Sequence, residues 1–151
     1  MSKINLSYYG TYSNNGVLLP IAFTLASSTT PVILTQDWFD FSTIPEANIN
    51  LFLGLQVLRG AAGGFYPNFG IFIAANGDLN AANLFGSILP VLQVPCLTGV
   101  FAAYQGFDNV ASFPNPGVPM QIVMAYQAVA TGGGVATTYH LRSGLLDGKG
   151  V

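Results

Sequence analysis

Few side chains in this sequence can do chemistry. There is one histidine, His140, within Thr137-Thr138-Tyr139-His140-Leu141. A catalytic imidazole needs a nucleophile and an orienting acid beside it in space. No spacing ties His140 to Ser143 or Asp147, so it reads as a surface or interface residue. The one cysteine, Cys96, sits in Val94-Pro95-Cys96-Leu97 with no basic neighbour to lower its pKa. It reads as a buried structural thiol, and there is no second Cys or His for a zinc set. Asp37 and Asp40 flank Trp38-Phe39 and precede Glu46. Paired carboxylates of this kind serve glycoside hydrolysis or hold Ca²⁺. On a strand, however, residues three apart point to opposite faces, so Asp37 and Asp40 do not converge. Asn76-Gly77-Asp78-Leu79-Asn80 lacks the oxygen spacing and the closing Glu of a calcium loop and reads as a turn. Gly60–Gly64 and Gly132–Gly134 lack the Lys-Ser/Thr that follows a phosphate cradle. The expectation is a protein that is not an enzyme and carries no cofactor and no metal.

The elements that must position these residues are built from an unusual alphabet. The 151 residues include four basic and six acidic ones, 7% of the chain, and mean hydropathy is +0.51. An ordinary soluble domain carries about 25% charged residues. Here Ser, Thr, Asn, Gln and 18 Gly take their place. The four basic residues, Lys3, Arg59, Arg142 and Lys149, are scattered. They do not make the basic patch that binds nucleic acid or anionic lipid. Abundant Phe and Tyr with a net charge of −2 exclude a disordered chain. Long uncharged runs exist, but Pro20, Pro90 and Pro95 break the backbone within them, so no membrane span is expected. A single cysteine allows no internal disulfide.

The apolar period is near two. Ile49, Leu51, Leu53, Leu55 and Val57 alternate with Asn50, Phe52, Gly54, Gln56 and Leu58. Phe69, Ile71 and Ile73 lead to the turn at Asn76-Gly77-Asp78, and Met120–Val129 repeats the pattern. Further strands are expected at Ile4–Tyr9, Val17–Leu25, Pro31–Phe41, Ser87–Val94, Gly99–Gln105 and Val135–Leu141. Turns are expected at Asn14–Gly16, Ala26–Pro31, Gly60–Asn68, Asn76–Asn83, Asn109–Pro119 and Thr131–Gly134. Ala81–Phe85 and Pro45–Asn48 could each hold a helical turn. The fold expected is all-β: one domain over 1–151, a two-sheet sandwich of about eight strands wound as a single jelly roll.

Both faces of several strands are neutral or apolar, and edge-guarding charges are missing. Surfaces of that kind are meant to be covered, which predicts a homo-oligomer. The terminal segments 1–16 and 135–151 are expected to act as arms on neighbouring subunits. Tyr8, Tyr9, Tyr12, Tyr139, Leu141, Leu145 and Leu146 are their candidate contacts. The alternative is a glycan-binding module using Trp38, Tyr66 or Tyr104 as ring platforms, because rings beside fixed polar groups suit sugars.

Four stretches carry a family resemblance. Phe69–Asp78 resembles the strand and Asn turn of small tailless-phage vertex (penton) proteins and related single jelly-roll virion proteins. Pro90–Pro95 followed by Gly99–Tyr104 is similar to their Pro-bounded segment and next strand. Val118–Tyr126 resembles their late strand. The order matches over roughly Leu51–Ala130, while the loop Gly60–Asn68 and the residues beyond Ala130 depart from it. The resemblance implies a virion component: a capsid or vertex subunit working with other shell subunits.

Overall fold

The computed structural model describes residues 3–6, 13–14, 17–18, 21–25, 31–59, 65–75, 79–95, 105–130 and 137–151. For residues 3–25 and 137–145, and for Thr35, Asp37, Arg59 and Ala130, the description is of the backbone. The strands are β1 (Lys3–Leu6), β2 (Ser13–Asn14), β3 (Val17–Leu18), β4 (Ile21–Leu25), β5 (Val32–Asp40), β6 (Asn48–Arg59), β7 (Phe65–Ala74), β8 (Leu92–Pro95), β9 (Gln105–Pro114), β10 (Pro119–Ala130) and β11 (Thr137–Gly150). A 3-10 turn, Phe41–Thr43, follows β5. The first sheet runs β1-β11-β6-β9, with β4 also on β11, and the second runs β5-β10-β7-β8. All pairings are antiparallel. β2 and β3 form a separate small ribbon.

The pairing is nested. β7 pairs with β8, β6 with β9, β5 with β10 and β4 with β11. The chain is thus one long eight-strand ribbon folded on itself. It closes into two sheets because β11 also pairs with β6, and β10 with β7. That winding is a jelly roll.

The core follows from the period-two pattern. Ile49, Leu51, Leu53, Leu55 and Val57 of β6 are at most 1% exposed. Opposite them lie Phe69 and Ile71 of β7, Leu92 and Val94 of β8, and Ile122 and Met124 of β10. Full burial of such side chains contributes about 1.5–3 kcal/mol each. Rings join the layers where Phe41 meets Phe113 edge-on at 6.2 Å between centroids, and within the second sheet Phe69 meets its register partner Tyr126 at 6.0 Å.

The second sheet is buried on its inner face and, along the middle of β7 and β10, on its outer face as well. Phe72 of β7 and Val123 and Ala125 of β10 point away from the main core, against Leu79 and Leu84. The segment between β7 and β8 forms this cover. Phe85 within it adopts φ 63°, a left-handed conformation costly for a bulky residue. That conformation sets its ring edge-on to Phe72, 4.8 Å between centroids. Gly70 makes room: a Cβ there would stand 3.0 Å from both rings. Much of the apolar outer face of this sheet is therefore covered by the chain itself, not by another subunit.

Several expected boundaries change. Asn109–Pro119 was expected to turn, yet β9 continues through Pro114. Phe107, Ala111 and Phe113 pack on the core while Asp108, Val110 and Ser112 face out, so the pattern is a strand written in turn-forming residues. Ser87–Val94 is strand only from Leu92; residues 87–91 belong to the cover. Ala81–Phe85 is turn rather than helix, and the 3-10 turn lies at Phe41–Thr43 rather than Pro45–Asn48.

The C-terminal segment is not a loose arm. β11 spans Thr137–Gly150 between β6 on one side and β1 and β4 on the other. Leu146 is fully buried in the chain's own core, which removes it as a subunit contact. The end is tied down as well. Val151 N–H donates to Asn48 O at 2.8 Å, and Asn115 Nδ2 donates to the carbonyls of Ile44 and Glu46, both at 2.9 Å.

Candidate interaction surfaces

Among the described side chains, the expected chemical residues do not gather. Asp40 ends β5, and its Oδ1 accepts from Ser42 N (3.0 Å) and Ser42 Oγ (2.6 Å). It is the cap of the 3-10 turn, a structural role. Asp37 stands opposite Ile122 of β10 and Asp40 opposite Pro119. Their backbone positions on β5 are three residues apart. Glu46 lies beyond the turn, packed against Gly150. His140 occupies a β11 position between Leu58 and Ala22. Cys96 and Asp78 lie outside the described residues. Among the described residues, no three of His, Cys, Asp and Glu come close enough to hold a metal ion. No described helix is long and apolar enough to cross a membrane.

Of the expected ring platforms, the two described ones, Trp38 and Tyr66, stand on different strands. Tyr66 is half-buried against the main core, and Tyr104 lies outside the described residues. Trp38 is 49% exposed, the one exposed aromatic among the described side chains. It stands on β5 opposite Gln121, which in turn opposes Ala74, a member of the outer cluster. Trp38 therefore belongs to the outer row of the second sheet. The cover over that sheet carries Leu89, 72% exposed. The expected contacts Tyr8, Tyr9 and Tyr12 lie outside the described residues. Tyr139, Leu141 and Leu145 occupy positions in β11.

The sandwich has two kinds of edge. On one side β8 and β9 are sewn together. Asn109 Nδ2 donates to Gln93 O at 2.7 Å, and its Oδ1 accepts from Val110 N–H at 2.9 Å. One side chain thus engages backbone groups of both edges. Asn68 Nδ2 donates to Gln93 Oε1 at 3.1 Å beside it. On the other side, the nine-residue β5 pairs with β10 along one edge.

The outer face of the first sheet holds an open depression of about 740 Å³. Its floor is formed by β6, β9 and β11. The register sets Phe52 between Asp147 and Val110, and Asn50 between Lys149 and Ser112. Sequence reasoning named Asn50 and Phe52 only as the outer row of a strand. The depression became visible when the register joined them to β9 and β11.

No family model and no curated protein matches this chain. Solved structures do. The chain is similar to the structure of infectious bursal disease virus, Gt strain, at a TM-score of 0.51 and 11% identity, over 87% of this chain and 32% of that one. It is equally similar to infectious bursal virus derived T=1 particles, with a TM-score of 0.51, 11% identity and the same coverage. A mutant VP2 protein of infectious bursal disease virus, also in T=1 particles, gives 0.50 at 11% identity. The chain spans about a third of the length of these viral proteins. At such identity the likeness is one of fold: this chain is a jelly-roll sandwich of the kind found within a virus-particle protein.

Proposed function

We propose that this protein is a structural subunit of a virus particle, working by symmetric self-association with other copies and other shell subunits. Its finer assignment is a vertex subunit of the penton kind, as the resemblance of Phe69–Asp78 and Val118–Tyr126 implies. The observation that carries the reading is the outer side of the second sheet. Trp38 and Leu89 are exposed there, in a chain with only ten charged residues to keep it apart from its copies. Apolar side chains left in water on a charge-poor surface mark an association site. The jelly-roll likeness to a protein of T=1 particles supports the same reading. Segment 1–16, with Tyr8, Tyr9 and Tyr12, is proposed to reach a neighbouring subunit, and Tyr139, Leu141 and Leu145 to add contacts from β11.

Sedimentation velocity with electron microscopy tests this. The chain is expected to form rings or closed shells at micromolar concentration. Leu89→Arg combined with Trp38→Arg is expected to leave folded monomers, because a buried unpaired charge is costly. A wild-type chain that stays monomeric at that concentration sinks the proposal.

A further inference from the structure

We propose that the depression on the outer face of the first sheet is a binding groove for a short neutral oligosaccharide, formed by Phe52, Asn50, Ser112, Asp147 and Lys149. A sugar ring presents an apolar face and a rim of adjacent hydroxyls. It is recognised by an aromatic ring together with polar groups held in fixed positions. The depression, about 740 Å³, has the size of a ligand site and opens to solvent.

Its parts are fixed before any ligand arrives. Phe52 lies low on the sheet. Its Cε1 and Cζ lie 3.0 and 3.1 Å from where a Cβ on Gly54 would be, so the ring lies down along the strand over Gly54. A side chain at Gly54 would lift it. Asn50 Oδ1 accepts from Ser112 Oγ. That bond holds the Asn50 amide in place at the lining of the groove, with Nδ2 as its donor group. Asp147 Oδ1 accepts from Gly148 N–H at 2.9 Å, which anchors the carboxylate, and its second oxygen is a further acceptor. Lys149, exposed beside Asn50 across the register, supplies a further donor. Val110, 67% exposed, extends the apolar floor on the far side of Phe52.

One ring and one amide donor from β6 and one carboxylate acceptor from the adjacent β11 thus converge, with Ser112 of β9 bonded to the amide. Pre-set groups lose little entropy on binding. Asp147, with Asp108 exposed on the same face, disfavours an acidic sugar and selects a neutral one. This site is distinct from Trp38 and Tyr66, and it does not depend on the shell reading.

The test is a glycan array of neutral hexose, neutral N-acetylhexosamine and sialylated oligosaccharides, followed by ligand-observed NMR titration of the full chain to about 5 mM sugar. Saturable binding of a neutral oligosaccharide is expected, with sialylated sugars silent. Phe52→Ala and Asp147→Asn are each expected to weaken it at least about tenfold, while Trp38→Ala leaves it unchanged. Asp147→Asn keeps the acceptor for Gly148 N–H, so it loses binding without losing the fold. The proposal is overturned if no neutral glycan binds saturably, or if binding survives both groove substitutions. It is also overturned if those substitutions abolish self-association, because the face is then a subunit interface. Sedimentation of the same variants separates this failure from failure of the shell reading.

Discussion

Individual residues here answer to their local surroundings more than to their chemical type. Asp40 is a turn cap and Asn109 a staple, though both could be mistaken for functional polar groups. Tyr126 shows the same principle through its ionisation. It is 8% exposed, against Phe69, and burial pushes its phenol pKa above 10.0. The folded state therefore holds the proton more tightly than the unfolded chain does. Its contribution is fully present below about pH 10, the unfolded value, and is lost as pH rises through the folded value. Tyr126→Phe is expected to lose less stability than the wild type when urea denaturation is carried from neutral pH to above pH 10. Equal losses would show that Tyr126 is not the alkaline trigger.

At the scale of elements, the edges decide most. β8 is only four residues long and β9 is an open edge of ten, and Asn109 links the two. Asn109→Ala removes one bond across the sheets and the acceptor for Val110 N–H. The expected cost is about 1–2 kcal/mol, with faster amide hydrogen exchange at Val110 and little change elsewhere. Uniformly faster exchange across the first sheet would show that the link acts on the whole fold instead. β9 also explains what the sequence left hidden. Its inward residues, Phe107, Ala111 and Phe113, are separated by Asp108, Val110 and Ser112, and Asn109 interrupts the apolar row. Local composition reads as turn, and only pairing with β6 makes it a strand. β11 was obscured differently. Gly144, Gly148 and Gly150 weaken strand propensity, yet a central place between β6 and β1 supplies the ladder on both sides.

For the whole molecule, scarcity of charge has two origins that the structure separates. The outer face of the second sheet is apolar partly because the chain covers it with its own residues 79–91. The large side chains that remain exposed there, Trp38 and Leu89, are apolar. Assembly through such a surface depends on apolar burial and not on ion pairs. Raising NaCl from about 0.05 to about 0.5 M, which shortens the Debye length several-fold, is expected to leave the assembled fraction in sedimentation unchanged or increased. Dissociation by salt would point to the charged face around Asp147 and Lys149 as the contact.

The sequence by itself determined the class of fold. Alternation of Ile49 to Val57 and of Met120 to Val129 can bury an apolar row only in strands, and one domain of such strands makes a sandwich. It also set the expectation of no basic patch and no catalytic constellation, because the four basic residues are scattered and His140 and Cys96 are each the single one of their type. Tertiary structure alone decided which apolar rows face solvent, because the covering segment 79–91 is remote in sequence from Val123 and Ala125 and meets them only through the fold. It alone assembled the groove, because Phe52, Val110 and Asp147 are neighbours by strand register. Register is set by the nested pairing of the whole ribbon, a long-range property that no local window of the sequence contains.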